Sequence, residues 1–174
     1  MLFRSGLTVT VTTNQAITPA TAAARDNNGT SNGLGVIPAI YVSTATTNVG
    51  AITNMTLTYT NQDGTSGRTA TCPSFPATAV AGTIVPFNLA AGDTGCRSIE
   101  GVTFGTSLAG GAVNMMLIRP IVFGPVLLAN TGYCTSISDY KAVKIFPNSY
   151  LTTWVIPTSA TATNISGVAN FVEV

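Results

Sequence analysis

The chain contains no histidine, and that absence removes most of the chemistry a small domain usually performs. Histidine titrates near neutrality, is the commonest metal ligand, and is the base in Ser-His and Cys-His nucleophile pairs. Six carboxylates remain as candidate acids and bases: Asp26, Asp63, Asp93, Asp139, Glu100 and Glu173. Glycosidase-type chemistry needs two of them facing each other across a cleft, and no spacing in the chain singles out a pair. Each reads instead as a turn residue or a solvated strand position. Ser138-Asp-Tyr-Lys141 fits the S-x-x-K pattern of penicillin-recognising enzymes. The Lys-Thr-Gly and Ser-x-Asn elements those enzymes also need are missing, so a surface turn is the preferred reading.

Asn61-x-Asp63-x-Thr65 has the opening spacing of a calcium loop but no closing bidentate Glu, and a hairpin turn is preferred. Cys72, Cys96 and Cys134 have no C-x-x-C spacing, and a zinc site without histidine would need a fourth thiolate. Asn28, Asn54 and Asn164 stand in Asn-x-Ser/Thr triplets, which arise by chance in a chain so rich in Asn and Thr. Trp154 is either a sugar-stacking platform or a core residue, and core is favoured on its strand. No catalytic, cofactor-binding or metal-binding residue is assigned, and the chain is not expected to be an enzyme.

Composition narrows the partners. Of the 174 residues, 45% are hydrophobic, enough for a packed core, but only 7% are charged, against about 25% in ordinary soluble domains. Net charge is +1, with Lys and Arg scattered singly, so there is no basic stripe for nucleic acid. Solubility must come from uncharged polar groups, chiefly Thr, and little long-range repulsion keeps copies apart. The odd cysteine count fits a reducing cytosol, each thiol acting as a small buried hydrophobe, with a single disulfide left open. Met1–Val11 alternates Thr and Val where a signal peptide needs an apolar run. The longest apolar stretch, Met115–Ala129, is broken by Arg119, Pro120, Gly124 and Pro125, so no membrane span is expected.

The elements that must carry these residues have a period of two. Leu7-Thr-Val-Thr-Val-Thr12 and Met55-Thr-Leu-Thr-Tyr-Thr60 alternate as half-buried strands do. β-branched Thr suits a pleated surface better than a helix. The cluster Asn61–Gly67 is a turn, and Arg68–Cys72 the returning strand of a hairpin. Further strands are expected over Ala39–Thr44, Ile84–Leu89, Ser98–Phe104, Val113–Phe123, Leu151–Ile156 and Val168–Val174. Ala16–Arg25 admits a helical turn or two at most, and Tyr133–Lys144 a short helical turn capped by Ser138 or Asp139. Eight or so short antiparallel strands predict an all-β fold, a jelly-roll-like β-sandwich. A single domain over residues 1–174 is expected. Asn27–Gly35 looks flexible, so residues 1–35 form either an N-terminal arm or, as preferred, a strand and a long surface loop of that domain. Leu7–Thr12 and Val168–Val174, without Lys or Pro, are the expected unguarded edges.

Three stretches carry a resemblance: "TLTYTNQDGTSGRTA" in Met55–Cys72, "VPFNLAAGDTGCRSIEGVTF" over Val85–Phe104, and "YLTTWVIPTSATATNISGVANFVEV" over Tyr150–Val174. Together they resemble virion structural proteins of tailed bacteriophages, particularly the small β-rich proteins that decorate capsids. The resemblance implies a β-sandwich, often a homotrimer, made in the bacterial cytoplasm and clamped on the outside of the head against the major capsid protein. It carries over no catalytic or capsid-contacting residue. The alternative is a tail, fibre or spike protein of the virion that binds host carbohydrate.

Overall fold

A computed structural model describes residues 2–3, 7–21, 24, 26–121, 144–147 and 151. Eight strands are found there: β1 (Leu2–Phe3), β2 (Gln15–Thr21), β3 (Ile37–Thr44), β4 (Thr56–Asn61), β5 (Arg68–Thr71), β6 (Ile84–Pro86), β7 (Cys96–Thr103) and β8 (Ala112–Ile118). All pairings are antiparallel, and the described residues contain no helix, so the chain is all-β. One sheet has the order β1-β8-β3-β6 and the other β2-β7-β4-β5. Except for the β4–β5 hairpin, each successive strand lies in the opposite sheet.

Inward-facing side chains explain the pairing. In β4, Leu57 and Tyr59 are buried while Thr56, Thr58 and Thr60 are half-buried on the other face. In β8, Val113, Met115 and Leu117 are buried and alternate with half-buried neighbours. These residues join Ile40 and Val42 of β3, Ile99 and Val102 of β7, and Phe75, Phe87 and Phe104 of the loops in one cluster drawn from both sheets. Each large side chain so buried contributes roughly 1.5–3 kcal/mol.

The hairpin is formed as expected, with Thr56 opposite Thr71 and Tyr59 opposite Arg68. Most strand expectations in the middle of the chain hold within a few residues. Leu7–Thr12 does not, because it is a turn. Val11 N–H donates to Thr8 O at 3.1 Å, and the Gln15 side chain accepts from Thr8 N–H and donates to Thr8 O. A side-chain amide thus takes the place of a neighbouring strand, while Leu7 and Val9 pack on the core. The strand lies further on, in β2, where a helical turn or two is the expectation; Ile17, Thr18 and Thr21 are β-branched and favour the extended form. The expected strands Leu151–Ile156 and Val168–Val174 and the turn in Tyr133–Lys144 fall largely outside the described residues.

Within the first 35 residues the described strands pair inside the chain, β1 with β8 and β2 with β7. Of the four outermost described strands, β1 has only two residues, and the other three carry edge guards. Pro19 and a break in register mark β2, Pro86 ends the three-residue β6, and β5 has four residues beginning at Arg68. Beyond β5 and β6 a two-way backbone bridge between Thr71 and Asn88, at 2.9 and 2.8 Å, links the two sheets.

One close approach fixes the loop between β2 and β3 against the entry to β7. Leu34 bridges Gly95, and a Cβ on Gly33, whose φ is +84°, would lie 2.1 Å from Cys96 O. At Gly67, φ is +70° but nothing lies within 4 Å of where an alanine methyl would stand. Gly67→Ala is therefore expected to cost about 1–2 kcal/mol from backbone strain alone. Gly33→Ala should cost clearly more, because backbone atoms must also move. Urea denaturation of the two variants checks the order, and equal losses would show that the contact is not tight.

Candidate functional site

The described ionisable side chains that are not cysteine or tyrosine gather at one end of the molecule. Asp26 lies in the β2–β3 loop, Asp63 in the β4–β5 turn, Arg68 at the start of β5, and Asp93 in the β6–β7 loop. Arg97 and Glu100 lie on β7, where Glu100 accepts from the Thr60 hydroxyl and the Gly67 N–H. Arg119 follows β8 and donates to the Lys144 carbonyl at 2.7 Å, and both cations approach the Phe146 ring.

Asp93 is the hub. Its Oδ2 accepts from the Tyr59 hydroxyl at 2.5 Å and from Arg68 Nε at 2.9 Å, and its Oδ1 accepts from Asn61 Nδ2 at 2.9 Å. Tyr59 stands on the inward face of β4, and its hydroxyl also accepts from Ala90 N–H. The Asp93 side chain is only 5% exposed. The Arg68 guanidinium, the Tyr59 hydroxyl and Asn61 hold its carboxyl down at about 2. Gln62 adds to the lock, its Oε1 accepting from Thr94 and Gly95 N–H at 3.0 Å each. The β6–β7 loop is thereby tied to the β4–β5 hairpin.

Asp26 organises the neighbouring loop. Fully buried, it accepts from the N–H groups of Asn28, Thr30, Gly33 and Leu34 and from the Thr30 hydroxyl. Burial pushes its carboxyl up, but the Thr30 and backbone donors outweigh that and the net shift is down. The stretch Asn27–Gly35, read from its composition as flexible, is thus a turn wound around one carboxylate. Beside it, Gly35, Ile37, Phe87, Leu89, Asp93 and Thr94 line an open depression of about 410 Å³. Asp93 is the ionisable group among these lining residues, and both its oxygens already accept from the lock.

The residues that sequence singled out are not brought together. Asn61 Oδ1 accepts from Asp63 and Thr65 N–H, so the calcium-like spacing is a hairpin turn. Asp26, Asp93 and Glu100 are each occupied by donors, and Asp63 meets the Gln62 amide. Cys72 and Cys96 are free and buried, and burial raises them to about 11 and about 12. Ser138, Lys141, Asp139, Cys134, Trp154, Asn164 and Glu173 lie outside the described residues. Among the described residues no group of three or more His, Cys, Asp or Glu could hold a metal ion. Sequence reasoning missed the Tyr59–Asp93 bond. Its signal was a Tyr on a core face, which needs a partner for its hydroxyl.

The opposite end is built differently. The described loop residues there, 7–14, 45–55, 72–83 and 104–111, include no Asp, Glu, Lys or Arg. Backbone bonds stitch them together: Leu108 N–H to Val9 O, Thr47 N–H to Leu108 O, Thr46 N–H to Ala79 O and Thr78 N–H to Asn48 O, at 2.9–3.3 Å. Buried Thr46 and Asn48 brace them further, through a 2.7 Å bond to each other and bonds to Ala79, Gly50 and Pro76. On this frame Val49 is 99% exposed and Val80 67%.

No family model matches the chain, and neither a curated protein nor a solved structure matches it.

The lock makes stability depend on pH in a defined way. Asp93, lowered from 3.8 to about 2, contributes stability that is complete above its ordinary value and is lost as pH falls through about 2. Asp26 acts in the same direction. Tyr59, Cys72 and Cys96 are raised, so their contribution is present below their ordinary values and is lost as pH rises through the raised ones. Urea midpoints across pH should show a plateau with an acid and an alkaline limb. Asp93→Asn should lower the plateau and flatten the acid limb to the part that Asp26 supplies, leaving the alkaline limb in place. An unchanged acid limb would contradict the lock.

Proposed function

We propose that the chain is a structural protein of a bacteriophage virion, a homo-oligomer that decorates the head and binds the major capsid protein without catalysing a reaction. The observation that carries this reading is the strand order. Eight antiparallel strands ordered β1-β8-β3-β6 and β2-β7-β4-β5, with all but one connection changing sheets, support a jelly-roll sandwich, an architecture of viral capsid and lectin domains. A fold hosts many functions, so the reading also leans on the sequence resemblance, on the low charge, and on carboxylates already occupied by structural hydrogen bonds. The trimer and the virion location, after synthesis in the bacterial cytoplasm, follow from the resemblance.

Carbohydrate binding by a tail or fibre protein is the weaker reading. Such sites stack sugars on exposed aromatic rings, and the exposed large hydrophobics among the described residues are Val11, Val49, Val80 and Leu151. Gold-labelled antibody against the chain, imaged on native particles of the phage that encodes it, tests the assignment. Label distributed over the head at regular lattice positions is expected. Label confined to the tail would replace decoration with the fibre reading.

A further inference from the structure

Two asparagine–glycine steps, Asn28–Gly29 and Asn32–Gly33, lie in the loop wound around Asp26. Such a step carries its own reaction. The glycine peptide nitrogen, once it gives up its proton, attacks the asparagine side-chain carbonyl and closes a succinimide ring, and ammonia leaves. Water then opens the ring at either carbonyl, giving aspartate or isoaspartate. Glycine favours the attack because it has no side chain to hinder the approach. Asn28 and Asn32 are both exposed, and among the described residues neither carboxamide has a hydrogen-bond partner. By sequence the two steps are equivalent. By structure they are not.

At Asn32–Gly33 the nucleophile is already engaged. Gly33 is buried, its N–H donates to Asp26 Oδ2 at 3.1 Å, and its carbonyl accepts from Val36 N–H at 3.0 Å. Its Cα is pressed on the Cys96 backbone, where a Cβ would lie 2.1 Å from Cys96 O. A nitrogen whose proton is shared with a carboxylate ionises less readily, because the new anion would face an existing one. Turning that nitrogen toward Asn32 would also break a charge-assisted bond and open a packed contact. At Asn28–Gly29 the glycine N–H donates to a neutral acceptor, the Asp26 backbone oxygen, at 3.0 Å. Gly29 is half-buried, and a Cβ there would meet the Phe146 ring rather than backbone. Arg119 and Lys144 each lie 5.4 Å from the centre of that ring, which brings two positive charges near a step that builds negative charge.

We propose that Asn28 is a site of spontaneous deamidation in the folded protein, and that Asp26 protects Asn32 from the same reaction. The product matters because charge is scarce in this chain. Its formal net charge is +1, and a single new carboxylate brings that to zero, the condition under which proteins associate most readily. Isoaspartate also lengthens the main chain of a loop whose N–H groups are committed to Asp26. The inference stands apart from the virion reading and does not need it.

The test is incubation of the full chain in mildly alkaline buffer, both folded and in urea. Protease digestion and tandem mass spectrometry then locate aspartate and isoaspartate at position 28 or 32. In urea the two steps should react at similar rates. In the folded chain Asn28 should outpace Asn32 by about tenfold or more, the factor expected when a hydrogen bond to a charged group must first break. Asp26→Asn should raise the rate at Asn32 toward that at Asn28, with circular dichroism to verify the fold. Should that variant unfold, amide hydrogen exchange on wild type takes its place, and Gly33 N–H should exchange more slowly than Gly29 N–H. Equal rates at the two asparagines in the folded chain overturn the inference, as does an Asn28 that reacts in urea but stays intact when folded. A folded Asp26→Asn variant that keeps Asn32 slow overturns the protection by Asp26, and so does equal exchange of the two glycine amides.

Discussion

Strand β7 is paired on both sides, by β2 and by β4, and its departures from register decide which of its side chains face the core. Along β4, Thr58 opposes Gly101 while the next residue, Tyr59, opposes Ile99; Thr60 opposes Ser98 while Asn61 opposes Cys96. One residue of β7 is extra at each step, Glu100 first and Arg97 second. A strand without bulges would put residues 96, 98, 100 and 102 on one face. The two irregularities turn Cys96, Ile99 and Val102 inward instead, and all three are buried. Bulges also sharpen the local twist, and here they leave Arg97 exposed and Glu100 half-buried, with Glu100 directed to Thr60 and Gly67. The core of the second sheet and the placement of two of its charges follow from the same pair of irregularities.

Two further described carboxylates serve the same end of the molecule. Asp93 closes the β6–β7 loop on the hairpin, and Asp26 winds the β2–β3 loop, each by collecting donors that would otherwise be buried without partners. An acid is well suited to this, because a carboxylate accepts several N–H and O–H groups at once. The uncharged end solves the same problem with neutral groups. Asn48 and Thr46 are both buried there and satisfy Gly50, Pro76 and Ala79. Among the described loop residues of that end, an amide and a hydroxyl do what carboxylates do at the other.

How much of this was legible depended on whether backbone partners were local. The β4–β5 hairpin was legible because alternation, turn residues and pairing all lie within Thr56–Thr71, and they agree. Leu7–Thr12 has the same alternation and is not a strand, since the Gln15 amide occupies the backbone groups of Thr8. Alternation records which faces are apolar, not who supplies the hydrogen bonds. Asn27–Gly35 carries the composition of a flexible linker, yet Asp26, immediately before it, satisfies four of its N–H groups. That Tyr59 would need a partner could be read from its inward position. That the partner is Asp93, 34 residues away, depends on strand order, which periodicity does not encode. The bulges of β7 are invisible for the same reason, because a three-residue spacing of buried positions looks like neither strand nor helix.

Threonine connects the fold to the way the surface behaves. On the outer face of the second sheet, Thr56 lies opposite both Thr71 and Thr103, and Thr58 opposite Thr69. Cross-strand Thr pairs stabilise a sheet through their branched side chains and hydroxyls, and they solvate the face without placing a charge on it. Charged side chains would solvate it equally well but would also set up repulsion between neighbours over roughly a Debye length, about 8–10 Å in physiological salt. A surface wetted by hydroxyls can be brought against another surface of its kind with only short-range costs. The Thr-rich outer face of the second sheet is thus solvated without the charge that would hold like surfaces apart.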